Sequence, residues 1–388
     1  MKTTIKMLAA ATMACSATLS GCGGSDTKVT NKEPVTDAVK AQPNQFDYQA
    51  LLNETVNSEV PGVVLYISSP TVNFYGAAGI ADKETNTPMQ IDAVLPNGSA
   101  GKKLTAMLAV MLHEEGRLDL DAPISDYLPD ELLSRIKHSE QMTTRQLLAH
   151  TSGVAGYLSD NDGDFYAGVL QTPNTLITDS FALQYALDKP AHFKPGEGWK
   201  YSNTGYILTG LILDSVLGEH HSKATRDYVL DPLGLTSMSY IGREQSTAEF
   251  ASGYFLMDGE LVNTRSYYQY IGVADAPVAG SAKDMAELLR MIVEGDGVSE
   301  QVREHLIGKV NLVAMQQPNK RYGMGVIVEK TANQTVYYHG GDELGYATRD
   351  YYFPKSKTAI TMLFNCNMYE LCKKDLNKML DKVLAQFL

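Results

Sequence analysis

The chain has 388 residues, of which 44% are hydrophobic, 20% charged and 9% aromatic. That balance excludes an intrinsically disordered chain and leaves room for one large domain or two modest ones. The formal net charge of −12 argues against a nucleic-acid partner, which would favour a basic face.

In chain order, Lys2 and Lys6 precede a short apolar run from Met7 to about Ala17, too short to span a bilayer as an ordinary helix. Leu19-Ser20-Gly21-Cys22 then matches the bacterial lipobox. The pattern predicts a lipoprotein signal peptide over 1–21 and a lipid on Cys22; a plain signal peptide with an incidental cysteine is the competing reading. Removing 1–21 leaves 31 Lys+Arg against 45 Asp+Glu, a net −14. No later segment is long and apolar enough to cross a membrane, so contact with a bilayer would rest on lipid alone. Gly23 after Cys22 points to the periplasmic face of the outer membrane, if the host sorts lipoproteins as enteric bacteria do. Residues 22–45 read as the lipidated cysteine and a polar tether, and 46–388 as the folded domain.

A short helix is expected around Leu51 and Leu52. Val63 to Ile67 and Val72 to Ala78 are β-rich runs separated by Ser-Ser-Pro, which predicts a hairpin. Leu104, Met107, Leu108, Met111 and Leu112 follow helical spacing, with Gly116 where a C-terminal cap belongs. A mostly helical region is expected over about 118–312. Strands return at Gly325 to Val328, Thr335 to Tyr338, Tyr346 to Phe353 and Thr358 to Phe364, before a closing helix from about Lys374. The economical fold is an α/β (α+β) sandwich: one antiparallel sheet built from both chain ends, flanked by helices, with a mostly helical insertion.

Three motifs occur in order: Ser99-Ala100-Gly101-Lys102, Tyr201-Ser202-Asn203 and His339-Gly340-Gly341. The S-x-x-K spacing also occurs at Ser25/Lys28 and Ser134/Lys137, but only Ser99 follows a turn-like Pro-Asn-Gly and opens an amphipathic helix. A serine there has its own N–H available to a developing oxyanion. A lysine three residues on shares its face and can take the hydroxyl proton, whereas Lys103 points about 100° away. No G-x-S-x-G elbow is present, so a lipase-like triad is not expected. Tyr201 can serve as general base if positive neighbours favour its phenolate. Asn203 offers a donor and an acceptor to a substrate amide and to Lys102, and His339 can polarise the site or share protons. Gly340 and Gly341 allow a substrate strand to approach the sheet edge. Each motif alone is more often structural; together and in order they are specific.

The chain resembles the serine β-lactamase and penicillin-binding family in its class C-like branch, which includes D-alanyl-D-alanine carboxypeptidases, D-amino-acid peptidases and some esterases. Besides the three motifs, the resemblance rests on Leu147-Leu148-Ala149-His150-Thr151-Ser152-Gly153, Pro195-Gly196, Gly205-Tyr206, Pro232-Leu233-Gly234-Leu235, Tyr322-Gly323-Met324-Gly325 and Gly345-Tyr346. It implies Ser99 as acylated nucleophile, Lys102 as its activator, Tyr201 as general base and acid, and Asn203 and His339 lining the site. The backbone N–H groups of Ser99 and Asp342 would form the oxyanion hole, with Gly340 and Gly341 against the substrate. Three positions depart from the family pattern: Gly101 where Thr is common, His339 where class C β-lactamases have Lys, and Gly340 where a hydroxyl is frequent. The reading is therefore an acyl-enzyme hydrolase of amides or D-amino-acid peptides in the cell envelope. A carboxylesterase, a β-lactamase and a catalytically silent envelope-binding lipoprotein remain as alternatives. No cofactor or metal is expected. Asp160, Asp162 and Asp164 fail the calcium-loop pattern, and His220-His221 reads as surface. Spacing leaves open whether Cys366 and Cys372 are bridged or are separate thiols.

Overall fold

The computed structural model describes residues 46–160, 163–246 and 248–388. The expected signal peptide, Cys22 and the tether lie outside the described residues. No helix among the described residues is long and apolar enough to cross a membrane.

A nine-stranded antiparallel sheet forms the frame. Its strands are β1 (Gly62–Ser68), β2 (Asn73–Asp82), β3 (Thr87–Pro88), β4 (Val313–Ala314), β5 (Lys320–Tyr322), β6 (Ile327–Lys330), β7 (Thr335–Glu343), β8 (Tyr346–Phe353) and β9 (Thr358–Phe364). Across the sheet the order is β3-β2-β1-β9-β8-β7-β6-β5-β4, so the first strand pairs with the last and Leu65 sits opposite Met362. Strand β1 is apolar throughout because both its faces are covered. Val63, Leu65 and Ile67 join one core with Ile360, Met362, Phe364, Leu376 and Met379. Val64 and Tyr66 join the other with Ala359, Leu363, Met285 and Leu289. Helices α1 (Tyr48–Thr55) and α5 (Glu370–Leu384) therefore cover the first face, and α4 (Ala282–Glu294) the second. Cys366 and Cys372 are disulfide-bonded between β9 and α5, with their Cα atoms 6.2 Å apart.

The helical side is built on α2 (Lys102–Glu114) and α3 (Asn203–Leu217), both deeply buried. The stretch expected to be mostly helical also carries strands. Tyr254–Met257 and Glu260–Asn263 form a hairpin, while Ser239–Tyr240 and Val278–Gly280 form a small sheet with Leu95–Pro96. These strands are two to four residues long, too short for alternation to declare itself in the sequence. The small sheet ties the chain just before Ser99 to residues some 180 positions later.

Candidate active site

Ser99 lies in a tight turn, Gly98–Gly101, that runs directly into α2. Gly98 has φ +54°, and a Cβ there would meet Glu343 Cγ at 3.1 Å and Gly341 Cα at 3.2 Å. Glycine is required both for the bend and for the close approach. The turn is pinned from outside: Asn97 donates its N–H to the Val278 carbonyl at 3.0 Å and its side-chain amide to the Gly280 carbonyl at 3.3 Å. Gly98, Ala100 and Gly101 are buried, while Ser99 keeps partial exposure. A Cβ on Gly101 would stand 2.9 Å from Pro277, which explains the departure from the common Thr.

Lys102 is fully buried. Its Nζ donates to Ser99 Oγ at 3.0 Å and to the Asp275 carbonyl at 2.7 Å, with the Asp275 carboxylate at 3.5 Å. It also lies 5.3 Å and 5.2 Å from the ring centres of Tyr201 and Tyr206. Asp275 was not singled out in the sequence; an isolated acid inside the apolar run 273–279 was the available signal. Burial pushes its carboxyl above the usual range, opposed by Lys102 and by Tyr157, whose hydroxyl donates to both carboxylate oxygens at 3.1 Å. The segment is held further by Thr105 Oγ1 donating to the Ala274 carbonyl at 2.7 Å, and by the Ala274 N–H donating to Asp179 at 2.8 Å. Lys103 turns the other way into a buried ion pair with Asp350, which also accepts from Thr361 at 2.8 Å.

Tyr201 comes from the loop before α3, its ring 4.2 Å from that of His150 and 6.1 Å from that of His339. Its hydroxyl is buried and makes no well-formed hydrogen bond to a described group. Burial raises its pKa, with Lys102 and Ser99 close enough to oppose the shift. The phenol is therefore neutral at rest, rather than a standing phenolate. Among the described residues Asn203 Oδ1 is buried without a hydrogen-bond partner, and the partners of Lys102 are Ser99 and Asp275 rather than Asn203. His150 is buried, accepts the Ser202 N–H at Nδ1 at 3.2 Å, and is kept neutral by burial and by Lys102.

The strand expected to stop near Tyr338 continues to Glu343, carrying His339-Gly340-Gly341 along the Ser99 turn. A Cβ on Gly341 would lie 2.0 Å from the Asn97 carbonyl oxygen and 3.2 Å from the Ala100 nitrogen, so backbone packs on backbone there. At Gly340 the nearest atom would be 3.4 Å away. His339 donates from Nδ1 to the Gly340 carbonyl at 2.6 Å and accepts at Nε2 from Tyr322 at 3.2 Å. Burial, with Lys102 and Lys103 nearby, holds its pKa down to about 3, so it is neutral at physiological pH. Asp342 pairs in register with Ala347, and its carboxylate accepts from Arg349 and Asn367, each at 2.9 Å.

Away from this cleft, His221 is not a surface residue. It is fully buried, with Nδ1 on Asp214 at 2.7 Å and Nε2 on Tyr240 at 2.6 Å. Asp179, His220 and His221 stand close enough to share a cation, but both ring nitrogens of His221 are already engaged. Asp160 is tied to His192 at 2.8 Å and to the Gly156 N–H at 2.6 Å; 161–162 lie outside the described residues.

A family model described as Beta-lactamase matches residues 48–378. Penicillin-binding protein 4* of Bacillus subtilis (strain 168) is 23% identical over 300 residues, covering 74% of this chain and 64% of its own length. Esterase EstB of Burkholderia gladioli is 31% identical over 173 residues, or 43% of this chain and 44% of the esterase. The chain thus spans less than two thirds of the length of these curated relatives. A D-stereospecific amidohydrolase from Streptomyces sp. superposes with TM-score 0.72 at 25% identity, covering 82% of this chain and 94% of that one. A penicillin binding protein from Bacillus halodurans does so with TM-score 0.74 at 22% identity, covering 88% and 100%. With the family model matching nearly the whole described region on a shared sheet-and-helix frame, the chain belongs to the Beta-lactamase family.

Proposed function

We propose that this protein is a serine hydrolase that cleaves an amide bond through an acyl-enzyme on Ser99. The observation that carries the reading is the buried Lys102 amine 3.0 Å from Ser99 Oγ. In its unprotonated form Lys102 takes the hydroxyl proton as Oγ attacks the carbonyl carbon. The displaced electron pair moves to the carbonyl oxygen, which the N–H groups of Ser99 and Asp342 receive. The neutral Tyr201 phenol donates a proton to the leaving nitrogen, the C–N bond breaks, and Lys102 returns the proton to Tyr201. Water then attacks the ester carbonyl carbon, giving a proton to the same pair, which passes it to Ser99 Oγ as the bond between Oγ and the acyl carbon breaks and the acid leaves.

The likeness to a D-stereospecific amidohydrolase supports an amide substrate with a D-amino acid. The neutral His339 offers no cation to a β-lactam carboxylate, which weighs against a β-lactamase. The likeness to an esterase supports ester cleavage as the second reading. An envelope location rests on the lipobox and Cys22.

Mass spectrometry after fluorophosphonate treatment should place an adduct on Ser99, absent in Ser99→Ala. The wild type should hydrolyse D-alanyl amides and peptides faster than nitrocefin, with a p-nitrophenyl ester as comparator. A folded protein that gives no adduct and turns over none of these would be a silent binder. Turnover of the ester alone would replace the amide reading by the esterase one. Membrane retention after Cys22→Ser would overturn the lipid anchor.

A further inference from the structure

We propose that His150 is a positioning residue for the reaction: it sets the place of the Tyr201 phenol, and with it the protonation of poor leaving groups. This rests on the acyl-enzyme reading above and adds a residue to its machinery. The short helix Thr144–Leu148 ends in a Schellman turn. In it the His150 N–H donates to the Leu147 carbonyl at 3.3 Å and the Thr151 N–H to the Gln146 carbonyl at 2.9 Å. His150 occupies the left-handed position of that turn, at φ +61°. Glycine is the usual residue there, because a Cβ is unfavourable in that conformation. The ring adds a second unfavourable feature. Nδ1 accepts from Ser202, so the proton of the neutral imidazole is on Nε2, which is buried without a hydrogen-bond partner among the described residues. A residue that merely closed the helix would need neither.

What the histidine supplies in return is a three-sided hold on Tyr201. Its carbonyl accepts the Lys200 N–H at 3.0 Å, and its Nδ1 accepts the Ser202 N–H at 3.2 Å. The residues on either side of Tyr201 are thus fixed to one residue. Its ring also packs on the Tyr201 ring, centre to centre at 4.2 Å with 40° between the planes. The His339 ring stands further off, at 6.1 Å. The Tyr201 hydroxyl makes no well-formed hydrogen bond of its own, so backbone tethers and ring contact decide where it stands. Phenylalanine at 150 would keep the ring contact and lose the acceptor; glycine would keep only the carbonyl. The phenol matters only where the leaving group needs a proton. An amide nitrogen leaves protonated, by Tyr201. Phosphonylation of Ser99 forms the Oγ–P bond and expels fluoride, with the hydroxyl proton on Lys102, and takes no proton from Tyr201.

The test compares the full-length wild type with His150→Gly and His150→Phe. It reads the ratio of kcat/KM on a D-alanyl amide, which reports acylation, to the rate of Ser99 labelling by a fluorophosphonate. In His150→Gly the ratio should fall by about 100-fold, the scale of a misplaced proton donor, and in His150→Phe by less. Labelling itself shows that each variant is folded. His150→Asn, which tolerates a left-handed backbone and carries an acceptor oxygen, should recover part of the loss. An unchanged ratio in variants that label overturns the proposal and leaves the hydrolase reading standing. If the wild type cleaves no amide, the amide reading falls and the ratio is read on an ethyl ester against the p-nitrophenyl ester of the same acid. If it cleaves neither, the hydrolase reading falls and this role with it. Should the variants not fold, NMR of the histidine ring nitrogens in the wild type decides. It should find His150 neutral with its proton on Nε2; a proton on Nδ1 would leave no acceptor for Ser202 and overturn the proposal.

Discussion

Two adjacent lysines have opposite duties. Lys102 touches the serine hydroxyl, whereas Lys103 is locked to Asp350 on the far side of the helix. Lys102→Met should slow Ser99 phosphonylation by about 10²–10⁴-fold, the usual worth of a positioned proton acceptor. Lys103→Met leaves Asp350 buried without its partner and should cost about 3–5 kcal/mol in urea unfolding. Comparable loss of labelling in both variants at matched folding would contradict this division. Asp179 acts at one remove, holding the Ala274 N–H beside the carbonyl that orients Lys102. Burial raises its carboxyl pKa to about 7, well above the ~3.9 of an unfolded chain. The folded state thus binds the proton more tightly, and this contribution to stability is complete below about pH 4 and lost as pH rises through 7. Asp179→Asn should match the wild type in thermal unfolding at pH 5 and exceed it at pH 8, by about 1–2 °C for each kcal/mol recovered. An equal difference at both pH values would show that Asp179 does not titrate in this way.

At the scale of elements, the site is a meeting of one turn and one strand. Gly340 and Gly341 are neighbours in β7, yet only Gly341 lies against the turn. Gly341→Ala should displace the Ser99 turn and depress kcat/KM strongly, whereas Gly340→Ala, with 3.4 Å to its nearest neighbour, should be mild. Circular dichroism and Ser99 labelling on both variants would check this; equal behaviour would mean that the strand does not set the turn. The helices and long strands were legible because each presents a sustained apolar period, as α2 and β1 do. The continuation of β7 through two glycines was not, because glycine carries no pattern and is depleted from strands. Ser99, Lys102, Tyr201 and His339 could be picked out because their spacing forms motifs. Asp275 could not, since it matters only through Lys102 and Tyr157, both far away in sequence. His221 was misjudged for the same reason: Asp214 and Tyr240, which make its burial tolerable, sit in different segments.

For the molecule as a whole, the sheet's pairing of its earliest strand with its last has a consequence for how the chain acquires structure. Between β1 on one side and β8 on the other, β9 is the central splice, and it comes after every other strand of the sheet in the chain. Closing a loop of about 290 residues, from Ser68 to Ala359, must precede the contacts that reward it, so assembly of the sheet is governed by distant partners rather than local ones. A ribosome must make the chain through Phe364 before its hairpin β1–β2 meets its neighbour. Until then the two parts of the sheet, β1 to β3 and β4 to β8, stay unjoined, and β9 closes the gap between them.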